Sequence, residues 1–447
     1  MMESTILSNL VYHINVKSDT DVAQLQNLML DFFAAMFAGY KQNKQFADSV
    51  EQVVFSQGGE EESTVFLQKK KYPARTAAFM NSLYGHGAEL DDGNKKAMGH
   101  VGVHVIPAVL ALAEAEGKTT NEVLSAIAAG YEAYIRISSA AQPGMVQRAI
   151  HSTGMAGAPA CAAACAKLLG LDAQGIESAI SLACTMSSGL LTYSESQQMI
   201  KPINPAKAAE TGILAARLAE AGIEGPHNCL EGPNGWFRSV SESYDEKMLT
   251  NVYDHLLMHE CYFKLYPSCR HTHCGIEAAI HIHKKTSDKI IKKVNVFIYP
   301  NAIKLAGQIR YPKDADETKF SIHYTLSCGL VFGEYGVDHM NPPKLNEMVR
   351  DMIDKIELIS DETMENREKA IRGTCVEVIF EDGSSVKEEV LVPKGDPEKP
   401  LTRENIMDKL RTCANGIVSE EKLKLFTDYV CIFQGNDTIR TEVLFCK

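Results

Sequence analysis

Between Gly85 and Pro107 the chain reads GHGAELDDGNKKAMGHVGVHVIP, which sets three carboxylates, Glu89, Asp91 and Asp92, beside three histidines, His86, His100 and His104. A connector between two helices needs none of these six groups. A glycine-broken stretch that gathers them is therefore a candidate for proton transfer or metal binding. Several groups share one local context, a loop that has just reached the start of a helix. Pro107 suits the first turn of a helix, with His100 and His104 immediately upstream, and His151-Ser152-Thr153 precedes an alanine-rich helix. In Lys201-Pro202-Ile203-Asn204-Pro205 the pattern predicts Asn204 as N-cap and Pro205 as the first helical residue, and Arg270-His271-Thr272-His273 leads into Ile276–Ile282. Helix starts present unpaired N–H groups and a partial positive charge, so several of them converging would hold a carboxylate or a phosphate.

The same field favours a neutral imidazole, which can act as a base near pH 7. Removing a proton from carbon next to a carboxylate builds an enolate-like dianion, and Lys201, Lys264 and Arg270 supply the positive charge that such a species needs. Asp91 and Asp92 are then placed to orient the histidines or to exchange protons with the substrate. Metal binding competes: His100 and His104 have i, i+4 spacing, and Cys269, His271, His273 and Cys274 are dense. Gly102 and Pro107 make the first pair loop-like, and alternating residues in a short run rarely point at one ion. No metal is therefore expected. There is no Gly-x-Gly-x-x-Gly after a strand, no Walker loop and no Gly-x-Ser-x-Gly elbow, so neither a nucleotide cofactor nor a serine hydrolase has support.

The elements that carry these groups are helical over the first half. Apolar residues recur at three- and four-residue spacing in Leu25–Phe37, Pro107–Glu116, Val123–Ile137, Gly157–Leu169 and Ala206–Leu218, and Thr119 to Glu122 has the spacing of a capping box. After about Tyr266 the texture changes. Residues 294–299 and 375–380 alternate as strands do, Glu381-Asp382-Gly383-Ser384 signals a hairpin, and Ser321–Phe332 and Pro343–Glu357 read as helices between them. From Thr402 the pattern returns to helix. The expected division is a helical domain over 1–267, an α/β domain over 268–400 and a final segment, 401–447, packing back on the first.

A chain of 447 residues exceeds the size at which one core usually keeps growing, and a formal charge of −12 is ill matched to nucleic acid. Lys69-Lys70-Lys71 reads as a solvated face. No apolar run has membrane-spanning length, the amino terminus does not read as a secretory signal, and twelve cysteines, several inside alanine-rich helices, read as reduced buried thiols. The expected location is the cytoplasm, with no membrane partner.

In order, GHGAELDD, then His100 to Ala108 running into LALAEAEGK, then His151-Ser152-Thr153-Gly154, Lys201 before Ala208-Ala209, LEGPNGW and KLYPSCRHTH resemble the MmgE/PrpD family over nearly the whole chain. The resemblance implies a mainly α protein, with a large all-helical domain made from both chain ends and a smaller α/β lid, working as a homodimer with its active site at the domain junction. It implies dehydration, decarboxylation or epimerisation of a small polycarboxylate without an organic cofactor, activities that the family shows on 2-methylcitrate, cis-aconitate and iminodisuccinate. By motif it places Glu89 to Asp92, His100, His151, Lys201, Lys264 and Tyr324 in the active site. The chain departs from the family's Asp-x-Asp-Asp-Thr with Glu89 and Gly93, and from its His-x-Gly with Asn204-Pro205-Ala206. These departures bear on the substrate more than on the class of reaction. The leading expectation is a hydratase or dehydratase of a di- or tricarboxylate with His100 or His151 as base, carboxylates held by Lys201, Lys264, Arg270 and neighbours such as His271, and Tyr324 or an aspartate serving the leaving hydroxyl. Its rivals are an epimerase using His100 and His151 as two bases, a decarboxylase, and a non-catalytic carboxylate binder.

Overall fold

Long apolar periodicity from residue 19 onward becomes a set of buried helices in the computed structural model of the chain, which describes residues 2–68, 70–192, 200–286, 288–340, 346–366, 371–440 and 443. The chain forms two compact units. The first comprises Met1–Gly87, Asp91–Tyr262 and Arg403–Lys447; the second comprises Ala88–Leu90 and Phe263–Thr402.

In the first unit the principal helices are α1 (Asp19–Gln42), α2 (Ala74–His86), α3 (Gly102–Ala115), α4 (Thr120–Ala140), α5 (Gly157–Leu168) and α6 (Ile203–Glu220). Ser18 caps α1, and Thr119 with Glu122 closes the expected capping box on α4. Helix α5 carries almost only Gly, Ala and Cys, and its neighbour exploits this. A Cβ added at Gly212 of α6 would stand 2.2 Å from the Cys161 Cβ, so the two helices approach to backbone distance. Helix α1 packs against the helix Arg403–Ala414, and the contact includes a buried ion pair between Asp31 and Lys409 at 2.5 Å. Among the described residues no helix is long and apolar enough to cross a membrane.

Two helix starts differ from expectation. Helix α3 begins at Gly102, so Pro107 lies inside it and His104 is a helical residue. A proline there removes only the bond to the Val103 carbonyl, and the burial of every residue from Gly102 to Ala113 outweighs that loss. Helix α6 begins at Ile203 with Pro202 before it, so Asn204 is inside the first turn and its side chain caps nothing.

The second unit holds α7 (His273–Thr286), α8 (Ile322–Phe332) and a four-stranded sheet of β1 (Ile291–Ile298), β2 (Ile356–Ser360), β3 (Thr374–Phe380) and β4 (Ser385–Val390) in the order β4-β3-β1-β2. Strands β1 and β2 are parallel, with Val294 opposite Ile356, and the other pairs are antiparallel. Alternation in β1 buries Val294, Val296 and Ile298, which join Ala278 and Ile282 of α7 and Leu326 of α8 in one core. The helix expected over Pro343–Glu357 is observed as Glu347–Lys355; it gives way to β2 at Ile356, and residues 341–345 lie outside the described residues. The fold is mainly α, with its only extended sheet among the described residues in the second unit.

Candidate active site

Helix α2 ends at His86, and after a short turn Asp91 comes back beneath it. The His86 Nδ1 lies 3.1 and 3.0 Å from the two Asp91 oxygens, and the His100 Nδ1 lies 2.9 Å from Asp91 Oδ2 and 3.0 Å from the Asp92 carbonyl oxygen. One carboxylate therefore serves two imidazoles, whose rings meet edge to face with centroids 4.7 Å apart. Asp91 is 1% exposed. Burial alone would push its carboxyl up, but His100 and His86 together hold it well below the usual carboxylate range. Both groups facing the His100 Nδ1 are acceptors. That nitrogen carries a proton, so whenever the ring is neutral its lone pair lies on Nε2. The backbone N–H of His100 donates to Thr153 Oγ1, which fixes the ring from a second side.

Asp92 faces the other way. Its Oδ1 accepts the Gly102 N–H at 2.8 Å and its Oδ2 accepts the Tyr131 hydroxyl at 2.8 Å, so this carboxylate holds the start of α3 against α4. Burial and the nearby Asp31 push its carboxyl up to about 7, despite those two hydrogen bonds. A Cβ on Gly102 would meet the Tyr131 hydroxyl at 2.5 Å, so glycine is required at this junction. His104 is buried with Nε2 on the His100 carbonyl oxygen and Nδ1 toward the Cys161 thiol, and burial lowers it to about 3. It is a neutral core residue that props the backbone of His100.

His151 stands at the head of the short helix Ser152–Met155, with its N–H on the Gly189 carbonyl, and its Nδ1 is 3.0 Å from the Asn204 side-chain nitrogen. The His86 and His151 ring centroids are 6.2 Å apart, so the structure gathers His86, His100 and His151 into one group within the first unit. Lys201 lies in the turn ahead of α6, half-buried, and its carbonyl accepts the Asn204 N–H. In the sequence His86 was named among the candidate histidines without a role of its own, and Asn204 was read as a helix cap. His86 sits five residues before Asp91, a spacing that only the turn at Gly87 converts into contact.

The second unit carries the remaining candidates. Lys264, 1% exposed, donates to both the carbonyl and the carboxylate of Glu89, at 3.0 and 3.3 Å, and Glu89 is held at φ +53°, an uncommon backbone state for a residue with a side chain. Arg270 pairs with Asp396 at 2.5 Å. His271 contacts the Tyr299 hydroxyl through Nδ1, and burial, with Arg372, Arg270 and Lys264 nearby, holds it well below the usual histidine value. Tyr324 donates to the His339 carbonyl at 2.7 Å, and burial raises its hydroxyl so that it stays protonated. The Cys269, His271, His273 and Cys274 run brings no convergent ligand set: among the described residues it forms no group of ligand atoms within 4.8 Å of one another. Cys274 instead donates to the Arg372 carbonyl, and His273 Nε2 lies 3.3 Å from the Ser268 carbonyl oxygen.

Comparison with known proteins adds an independent line. The MmgE/PrpD N-terminal domain model matches residues 5–248, and the C-terminal domain model matches residues 266–429. The chain is 28% identical to cis-aconitate decarboxylase of Aspergillus terreus, over 79% of this chain and 77% of that protein. It is 26% identical to cis-aconitate decarboxylase of Homo sapiens, over 90% and 85% respectively. It is 24% identical to 2-methylcitrate dehydratase of Escherichia coli (strain K12), over 52% and 51%. With both domain models matched in order along its length, the chain belongs to the MmgE/PrpD family and is an enzyme of the lyase type found there.

Proposed function

We propose that this enzyme is a cofactor-independent hydratase or dehydratase of a small di- or tricarboxylate, in which His100 moves the proton on the carbon next to a carboxylate. The observation that carries this reading is the Asp91 carboxylate at 2.9 Å from the His100 Nδ1. A carboxylate in that position fixes the imidazole tautomer, keeps Nε2 as the base, and stabilises the imidazolium once the proton arrives, the relationship that makes an aspartate–histidine pair effective. Lys201, Lys264, Arg270 and His271 are the proposed carboxylate ligands. Lys264 and Arg270 already hold internal carboxylates, Glu89 and Asp396, that a substrate carboxylate would exchange with. Tyr324 is the proposed hydroxyl donor to the leaving group.

Decarboxylation is the second reading, favoured by the breadth of the match to two cis-aconitate decarboxylases. It runs the same carbon chemistry in the opposite sense: carbon dioxide leaves and an imidazolium delivers the proton. The test is incubation of candidate acids with the enzyme in deuterated water, followed by proton NMR and gas analysis. New alkene signals without gas support dehydration, and gas release supports decarboxylation. Exchange with inversion at one carbon supports epimerisation, and an unchanged spectrum for every acid would reject a catalytic role.

A further inference from the structure

We infer that Asn204 is a positioning residue that holds His151 as a neutral hydrogen-bond donor, so that His151 is the electrophile of the site and His100 its single base; the mechanistic half of this rests on the lyase reading above. The Asn204 Nδ2 lies 3.0 Å from the His151 Nδ1. An amide nitrogen has only protons to offer, so the His151 Nδ1 must present its lone pair, and the proton of the neutral ring is then on Nε2. His100 is the mirror case, because its Nδ1 faces Asp91 Oδ2 and the Asp92 carbonyl, and the lone pair is left on Nε2. Two histidines that look interchangeable in the sequence are thus held in opposite tautomers.

The arrangement is rigid on both sides of the contact. His151 accepts the N–H groups of Gly154 and Met155 on its carbonyl and donates its own N–H to Gly189. Asn204 is in the first turn of α6, and Gly154 packs so closely against it that an added Cβ would lie 3.1 Å from the Asn204 Cβ and 2.7 Å from the Ser188 carbonyl oxygen. Protonating the ring would set an Nδ1–H against the amide N–H, which disfavours the cation. A neutral imidazole fixed in this way polarises a carboxylate or carbonyl oxygen and does not compete for the carbon-bound proton.

In the step this implies, the C–H electron pair stays on carbon and spreads onto the adjacent carboxylate, and the proton goes to His100 Nε2. His151 keeps its proton and donates a hydrogen bond to the oxygen where charge grows. A two-base epimerisation would need His151 to accept a proton on the nitrogen that already bears one. The tautomer therefore separates lyase from epimerase at this site.

Two-bond proton–nitrogen correlation spectra of the full chain with 15N-labelled histidine read the tautomer directly, with His151 assigned from its loss in His151→Gln. The wild-type protein is expected to show His151 with a pyridine-type Nδ1 and a protonated Nε2. Asn204→Asp offers an acceptor in place of a donor and is expected to move the proton to Nδ1, while kcat falls about 10²-fold with KM little changed. An Nδ1–H tautomer in the wild-type spectrum would overturn the inference, and that spectrum decides whether or not the variant folds. An unchanged His151 tautomer in a folded Asn204→Asp protein would overturn it equally. Because the spectra need no substrate, an enzyme with the expected tautomer that converts no acid would reject the lyase reading and leave the tautomer assignment standing.

Discussion

Asp91 and Asp92 are adjacent in the chain, yet their carboxyls are driven in opposite directions, Asp91 well below the usual carboxylate range and Asp92 up to about 7. Both are buried, so desolvation acts on each alike. Asp91 faces two imidazoles, whereas Asp92 faces two neutral donors, Tyr131 and the Gly102 backbone, and feels the negative Asp31. Alternation along an extended pair of residues thus turns one carboxylate to two imidazoles and the other to the start of α3 and to α4.

Asp91→Asn is expected to lower kcat by about 10²- to 10⁴-fold, because the amide carries no charge to stabilise an imidazolium and sets an NH2 donor where Asp91 Oδ1 faces the His86 Nδ1. Steady-state rates with whichever acid proves to be turned over check this, and a loss below tenfold would remove Asp91 from the mechanism. The folded-state value of Asp91 is depressed, so its contribution to stability is complete above about pH 4 and is lost as pH falls through that lower value.

Asp92→Asn addresses the opposite slope. The folded protein holds an extra proton on Asp92 between about pH 4 and about 7, so this group's contribution to stability falls as pH rises through that window. The variant lacks that loss. Its melting temperature relative to wild type is expected to climb from pH 4 to pH 7 and then level off. His104, lowered to about 3 by burial, gives the contrary slope between about pH 3 and 6.5 in both proteins, so the comparison is made pair by pair at each pH.

Gly102→Ala places a favourable helix former at the first position of α3, worth up to ~1 kcal/mol in an open helix. Here its Cβ would fall 2.5 Å from the Tyr131 hydroxyl and 2.9 Å from Asp92 Oδ1. A net destabilisation of about 1–3 kcal/mol is expected in chemical denaturation, since the neighbours are packed helices with little freedom to move. A stabilised variant would show that the α3–α4 junction is soft.

Lys264→Met takes the ammonium away from the buried Glu89 carboxylate and is expected to cost about 3–5 kcal/mol. Adding Glu89→Gln removes the buried negative charge and should restore most of that loss. Thermal melts of the single and double variants check this, with equal melting temperatures arguing that Glu89 reaches water.

Most helices were legible because burial on one face imposes a period that no local preference contradicts, as in Val123–Ile137 inside Thr120–Ala140. The histidine and carboxylate candidates were legible from residue type alone. Their partners were less so. Nothing in the spacing distinguishes Asp91 from Asp92, and the difference comes from where the α2 terminus and α4 bring His86 and Tyr131. Pro107 misled because proline is usual in a first turn, and only the burial of all of α3 shows why a helix can run through it. Asn204 reads as a cap by type, yet its side chain is called away by His151, a tertiary contact with a residue 53 positions earlier.

The ion pair between Asp31 and Lys409 joins residues 378 positions apart. On the ribosome, helix α1 is therefore complete long before its counter-charge exists, and the whole second unit must emerge in between. Until Lys409 docks, Asp31 has no lysine to balance it, and the first unit cannot close its packing around it. Pairing of Asp31 with Lys409 therefore waits for the helix Arg403–Ala414, the last part of the first unit to be made.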